Sequence, residues 1–481
     1  MKYFCIALVL LAATASAQKK KPDVQKTQQE IIKSIDANYE NYSNIAHKIW
    51  EFAEVGYQEE KSSALLQETL KQAGFTIETG VAGIPTAFVA SYGSGKPVIG
   101  ILGEYDALPG VSQDAVPEVK QVPGRPAGHA CGHHLFGTAS AAAAIAVKNW
   151  MNANNKSGTI RFYGTPAEEG GSGKVYMVRE GLFKDVDLVF HWHPGAQNNA
   201  SAGSSLANKT GKFRFYGVAS HAAAAPDRGR SALDGVEAMN DMTNMMREHV
   251  PQEARMHYVI TRGGEAPNVV PAFAEVYYYV RHPNRTVVKD MWERITRAAQ
   301  GAALGTDTKV EWEIIGGVYD LLPNEALARV VDANLRTVGG YSFDETEKAF
   351  AEKIQKTFTT VPPALTSTSA ISEFKITDGA GFGSTDVGDV SWVVPTAGLS
   401  TATWVPGTAA HSWQAVAAGG TSIGHKGMLV AAKTLALSIT DVMSNPMLID
   451  NAWKEFRTRT GESFKYESLI GDRKPALDYR K

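Results

Sequence analysis

At 481 residues the chain is too long for one compact core, and two domains are expected. Its composition, 44% hydrophobic and 20% charged, is that of an ordinary globular protein. With 48 basic against 50 acidic residues there is no electrostatic reason to expect nucleic acid or an anionic membrane as partner.

The start of the chain reads as a targeting segment. Lys2 precedes an apolar run from Tyr3 to Ala13, and Ala15-Ser16-Ala17 has the small-x-small form of a cleavage site. Residues 1–17 are therefore expected to be a secretory signal, and the mature protein periplasmic or secreted. The run is well short of the roughly 20 residues a membrane span needs. Of the two cysteines, Cys5 leaves with the signal, so Cys131 is the only thiol of the mature chain. In an oxidising compartment a lone thiol is a hazard unless it is buried or bound to metal. Asp23 to Gln29 is polar and reads as a loose leader.

Apolar residues from Ile31 to Phe52 recur at helical spacing, and Ser62 to Gln72 reads as a second helix stopped by Gly74. Ala87–Tyr92 and Val98–Leu102 are short strands. The second is continuously apolar, as in a parallel sheet covered on both faces. It runs into Glu104 and Asp106, where α/β folds place their sites. Asp106 could fix the tautomer of a ligand imidazole or could simply cap a turn. Next comes Gly128-His129-Ala130-Cys131-Gly132-His133-His134, with three imidazoles and a thiol in seven residues. These are the ligands that borderline transition metals prefer. Thr138–Trp150 is a helix and Thr159–Tyr163 a strand that leads into Glu168-Glu169. Adjacent side chains on extended backbone point to opposite sides, so one glutamate can ligate metal while the other faces a substrate. Val186–Phe190 is a strand that delivers His191 and His193.

From about Lys209 the pattern changes to strand, helix, two strands, helix, strand, ending near Ile315. This is the order of a ferredoxin-like sandwich inserted into the first domain. The stripe Leu233, Val236, Met239, Met242 and Met246 reads as packing. Within this insert His221, Asn268 and Arg281 could meet a substrate. Asn324–Val338 returns the chain to the first domain, and 361–378 reads as an irregular surface insertion. Gly407 allows a tight turn before His411, and Gly427–Val442 reads as the final helix.

These motifs in this order resemble the zinc- and manganese-dependent amidohydrolases that include aminoacylase and carboxypeptidase G. The resemblance covers nearly the whole mature chain. It implies an α/β catalytic domain of zinc-exopeptidase type, with a mixed and mostly parallel sheet, formed by 18–208 and 321–481. It also implies a ferredoxin-like α+β lid and dimerisation domain over 209–320. Two divalent metal ions, zinc or manganese, would be bridged by Cys131, with His133, Glu169, His193 and His411 as further ligands. Glu168 would be the general base, and His221 and Asn268 would contact the substrate, His221 either within its own chain or across a dimer interface. His134 stands where many relatives have aspartate, which argues against its being a ligand, and Glu104 takes no assigned role. The implied reaction is hydrolysis of the amide bond of an N-acyl amino acid such as p-aminobenzoyl-glutamate. The implied partner is a second copy of the chain or a related subunit. The alternatives are a dipeptidase or carboxypeptidase of the same clan, or a non-catalytic metal- or peptide-binding protein.

Overall fold

The computed structural model describes residues 24–381 and 383–480. The expected signal, Cys5 and cleavage site lie outside them. Two sheets organise the chain. The larger has six strands, in the order Thr76–Thr79, Phe88–Ser94, Gly158–Gly164, Val98–Gly103, Leu188–Gly195 and Thr396–Ala402. The last four run parallel, and the first two are antiparallel additions at one edge. Every residue of Val98–Gly103 is buried. The continuous apolar run has that cause: helices cover both faces, so no position can be polar. The long helices His133–Ala153 and Ser422–Ser444 pack on each other and on this sheet. Ser422–Ser444 is apolar and long enough to cross a membrane, but 83% of its most apolar 18-residue stretch is buried in this core.

The smaller sheet has the order Arg255–Arg262, Phe273–His282, Ala207–Tyr216 and Lys309–Val318, all antiparallel. The helices Ala232–Met246 and Arg285–Gly305 close a separate core of Phe213, Met239, Tyr278, Trp292 and Ile295. This is the expected sandwich. Met239 and Met246 are buried in it, whereas Met242 faces solvent, because a step of three residues carries it to the margin of the apolar face.

The remaining differences lie at element ends. The leader is helical from Val24 to Asp36, with Ile31 and Ile35 buried. The insertion 361–378 is irregular only in part: it holds a short 3-10 helix, Leu365–Ser369, and its end enters the strand Ile376–Ala380, which pairs with Ala202–Ser204. Gly427–Val442 is not the last helix. Pro446–Thr460 follows it, started by the Asn445 side chain and a proline in the first turn. Residues 461–480 then run back across the molecule without regular structure.

Candidate metal centre

Three neighbouring strands of the large sheet bring chemistry to one end. Val98–Gly103 leads into Glu104 and Asp106, Gly158–Gly164 leads into Glu168 and Glu169, and Leu188–Gly195 carries His193. Cys131 sits just before the helix His133–Ala153. Between them Gly132 has φ +79°, and a Cβ there would meet Pro194 at 2.6 Å. Glycine is therefore required for the thiol and the imidazole to share one turn. His411 enters from the loop after Thr396–Ala402, itself at φ +61°. Cys131, Glu168, Glu169, His193 and His411 line one cleft of about 1160 Å³ between the two sheets.

The donor atoms fall into sets. Cys131, His133 and His193 offer atoms within 4.8 Å of one another, and so do Cys131, Glu169 and His411. Cys131 belongs to both. A third set joins Glu104, His133 and Glu168. Two of the three imidazoles are oriented by their other nitrogen. His133 Nδ1 lies 2.9 Å from Asp106 Oδ1, and His193 Nδ1 lies 2.8 Å from the Pro194 carbonyl oxygen. Asp106 also accepts the Glu169 backbone N–H at 2.9 Å, so one buried carboxylate fixes two members of the cluster. The atoms left over face each other without hydrogen-bond geometry. His133 Nε2 is 3.1 Å from Glu104 Oε2 and His411 Nε2 is 3.2 Å from Glu169 Oε1, yet His133 Nε2, Glu104 Oε2 and Glu169 Oε1 are buried without a hydrogen bond. Buried polar atoms are normally satisfied. A thiolate, three imidazoles and a carboxylate converging in this way fit a pair of divalent cations.

Electrostatics give the site a pH dependence. Burial pushes the Cys131 thiol up; burial pulls the His133 imidazolium down, but the Asp106 and Glu104 carboxylates outweigh it and hold that group above its usual range. Both groups therefore carry protons in the metal-free protein at neutral pH, and a cation must displace them. Zinc affinity is expected to rise about tenfold per pH unit for each proton released. Calorimetric titration in buffers of different ionisation enthalpy counts those protons, and a count of zero would be incompatible with this site.

The other expected residues are placed as follows. Arg281 lines the cleft, its guanidinium 4.2 Å from the centre of the Tyr279 ring and its Nε without a hydrogen-bond partner. His221 and Asn268 are exposed on two lid loops that bond to each other, the Ala222 N–H donating to the Asn268 carbonyl, and neither lines the cleft. His134 is turned away, its Nε2 2.9 Å from the Gly419 carbonyl. Sequence reasoning missed Lys174 and Asp386. The Lys174 ammonium is fully buried, 2.7 Å from both Glu104 and Asp386. Gly170-Gly171-Ser172-Gly173 before a lone lysine was the available signal. It also missed Tyr479 and Arg480, which reach the cleft from the far end of the chain.

Comparison with known proteins gives the same frame. The profile of peptidase family M20/M25/M40 matches residues 100–385. The chain is 42% identical over 453 residues to a p-aminobenzoyl-glutamate hydrolase subunit of Escherichia coli (strain K12), covering 89% of this chain and 94% of that protein. It is 29% identical to the Xaa-Arg dipeptidase of Mus musculus, over 89% of this chain and 91% of that one. Its fold matches a dinuclear metal-binding M20 peptidase of Bacillus subtilis with a TM-score of 0.57 at 16% identity, over 85% of this chain and 99% of the other. With a donor cluster at the ends of parallel strands, a lid sheet over it and this extent of shared sequence, the chain belongs to peptidase family M20/M25/M40 and is a metal-dependent amide hydrolase.

Proposed function

We propose that the protein hydrolyses the amide bond of an N-acyl amino acid that ends in a free acid, p-aminobenzoyl-glutamate among them. The observation that carries this is the pair of three-donor sets sharing Cys131 beside Glu168, in a cleft lined also by Arg281, Arg473 and Arg480. Cys131, His133 and His193 would hold one divalent ion, and Cys131, Glu169 and His411 the other. Zinc or manganese fits, and thiolate with imidazole favours zinc. Bound there, the ions would supply Lewis acidity towards water and the amide carbonyl.

This chain's own residues do the rest. Glu168 takes the proton of the attacking water on its carboxylate and passes it to the leaving nitrogen. Asp106 keeps His133 in one tautomer and the Glu169 backbone in place. Arg281 offers a guanidinium to the substrate's acid. His221 and Asn268, exposed on the lid, would reach substrate from a second copy of the chain. A homodimer through the lid is therefore part of the proposal, as is assembly with a related subunit. Export to the periplasm or beyond completes it, supported by the basic, apolar and small-residue order of residues 1–17.

Assays with p-aminobenzoyl-glutamate, N-acetyl amino acids and simple dipeptides separate the acyl-amino-acid reading from a dipeptidase. Replacing the substrate's free acid by an amide is expected to lower kcat/KM about 10–100-fold, matching the ~1.5–3 kcal/mol of a hydrogen bond to a charged group. Equal efficiency on acid and amide would remove the carboxylate contact.

A further inference from the structure

The segment 461–480 is held at every stage of its path. The Tyr466 hydroxyl donates to Asp389 Oδ1 at 2.6 Å. The Arg179 guanidinium donates to the carbonyls of Gly471 and Arg473. Arg473 in turn reaches the lid strand Lys309–Val318, donating to the Ile315 carbonyl at 2.6 Å and to Glu313 Oε1 at 2.8 Å. The Gln58 amide donates to the Leu477 carbonyl, and the Tyr479 ring stands edge-on to Tyr57 at 5.5 Å.

Its end falls on the turn that carries the two glutamates. Arg480 Nη2 donates to the Glu169 carbonyl oxygen at 2.7 Å, and the Tyr479 hydroxyl donates to the same oxygen at 3.3 Å. Two residues on, the Tyr57 hydroxyl donates to the Gly171 carbonyl at 2.6 Å. The turn cannot hold itself by regular structure: Ala167 has φ +59° and Ser172 φ +60°, both in the left-handed region that costs a side-chain-bearing residue about 1 kcal/mol or more. It has two internal bonds, from the Gly170 N–H to the Glu168 carbonyl at 2.7 Å and from the Gly171 N–H to the Ala167 carbonyl at 2.9 Å, and Glu59, Tyr57, Tyr479 and Arg480 brace it from outside. The Glu169 carbonyl is a suitable handle, because its carbon is bonded to the Cα that carries a candidate ligand and lies one residue from that of the base.

We propose that Tyr479 and Arg480 are positioning residues of the active site, with the carboxyl-terminal segment acting as a strap that sets the Glu168–Glu169 turn. The charged donor makes the stronger of the two bonds. Because Arg473 ties the same segment to the lid strand, the strap also links the lid to the turn that carries base and ligand. The proposal rests on the hydrolase reading above only for its kinetic arm.

The test uses the full chain with Arg480→Gln, Tyr479→Phe and Arg480→Ala, reading zinc affinity by competition with a chromogenic chelator, kcat and KM at saturating zinc, and Tm. For Arg480→Gln, the expected result is zinc affinity and kcat each lower by about 10–100-fold, the usual effect of removing a group that orients a ligand. KM should stay within about threefold and Tm within about 3 °C. Tyr479→Phe should show a smaller loss of the same kind, and guanidinium ion should partly restore Arg480→Ala. Unchanged affinity and kcat would overturn the proposal. So would a raised KM with kcat intact, which would make Arg480 a substrate contact, or losses that merely follow a fallen Tm. If the wild-type chain hydrolyses no acyl amino acid, the function proposed above fails while the zinc arm still decides the strap.

Discussion

Replacing Glu168 by glutamine is expected to leave a folded protein that binds its metal complement and turns over about 10²–10⁴ times more slowly. The two adjacent glutamates have different neighbours. Glu169 has one carboxylate oxygen 3.2 Å from His411 and within ligand distance of Cys131, and its backbone is tied to Asp106. Glu168 shares neither the Cys131–His193 set nor the Cys131–His411 set, and it lies on the cleft surface. Burial raises the Glu169 carboxyl, but the His411 and His133 imidazoles outweigh it and hold that group below the usual carboxylate range. Glu168 goes the other way. Burial first, then the carboxylates of Glu104, Glu169 and Asp386, push it well above the usual range. A depressed carboxyl suits a permanent anion, and a raised one suits a group that must take and return a proton.

The sign follows from the direction of the shift. The base acts as carboxylate, so activity falls on the acid side as pH drops through its pKa. Burial and the neighbouring carboxylates push that limb up from the range of an ordinary glutamate, and divalent cations held beside Glu168 draw it back down, so the limb should move when the metal complement is changed. In Glu168→Gln the limb should vanish together with the rate, whereas Glu169→Gln should lose metal first. Turnover within a few-fold of wild type in Glu168→Gln would take that residue out of the proton-transfer role.

Glu168, Glu169 and His193 were legible because each sits in a short polar motif at the end of an apolar run, and Cys131, His133 and His411 because ligand-type side chains stand beside glycines that permit tight turns. Strand ends in a parallel sheet converge by construction. The buried strand Val98–Gly103 could be read for the same reason, since its lack of alternation follows from being covered on both sides. His221 and Asn268 stood out by composition alone. Small-residue loops look alike whether they line a cleft or face solvent, and in the single chain these two face solvent. Tyr479 and Arg480 could not be found, because an irregular segment has no period and its contacts lie some 310 residues away in sequence. Lys174 was hidden for another reason. It lies in a helix whose residues from Gly173 to Val178 are all buried, and a lysine at such a position reads as a solvent-facing residue until its two partners, 70 and 212 residues away, are seen.

That lysine gives the largest expected loss of stability. Its ammonium is fully buried between Glu104 Oε1 and Asp386 Oδ1, at 2.7 Å from each, and its backbone N–H donates to Asp386 Oδ2 at 2.9 Å. Burial opposes its charge, but Asp386, Glu104 and Glu168 outweigh burial and raise it above the usual lysine range. Lys174→Met keeps much of the volume and removes the ammonium that both carboxylates share. Two carboxylates then occupy a buried space next to a third, Glu168. Breaking a buried charge group from one side is worth about 3–5 kcal/mol, against a total stability of about 5–15 kcal/mol. Urea unfolding of the metal-free protein should therefore show a midpoint far below that of wild type.

Two controls separate charge from packing. The deficit should shrink as pH falls, because protonated carboxyls no longer need the cation. Burial already raises Asp386, so relief should begin above the pH at which an exposed aspartate takes up a proton. Adding Glu104→Gln to Lys174→Met should recover part of the loss, since it removes one of the stranded charges. A Lys174→Met protein as stable as wild type at neutral pH would mean that the ammonium does not offset the charge of the carboxylates packed around it.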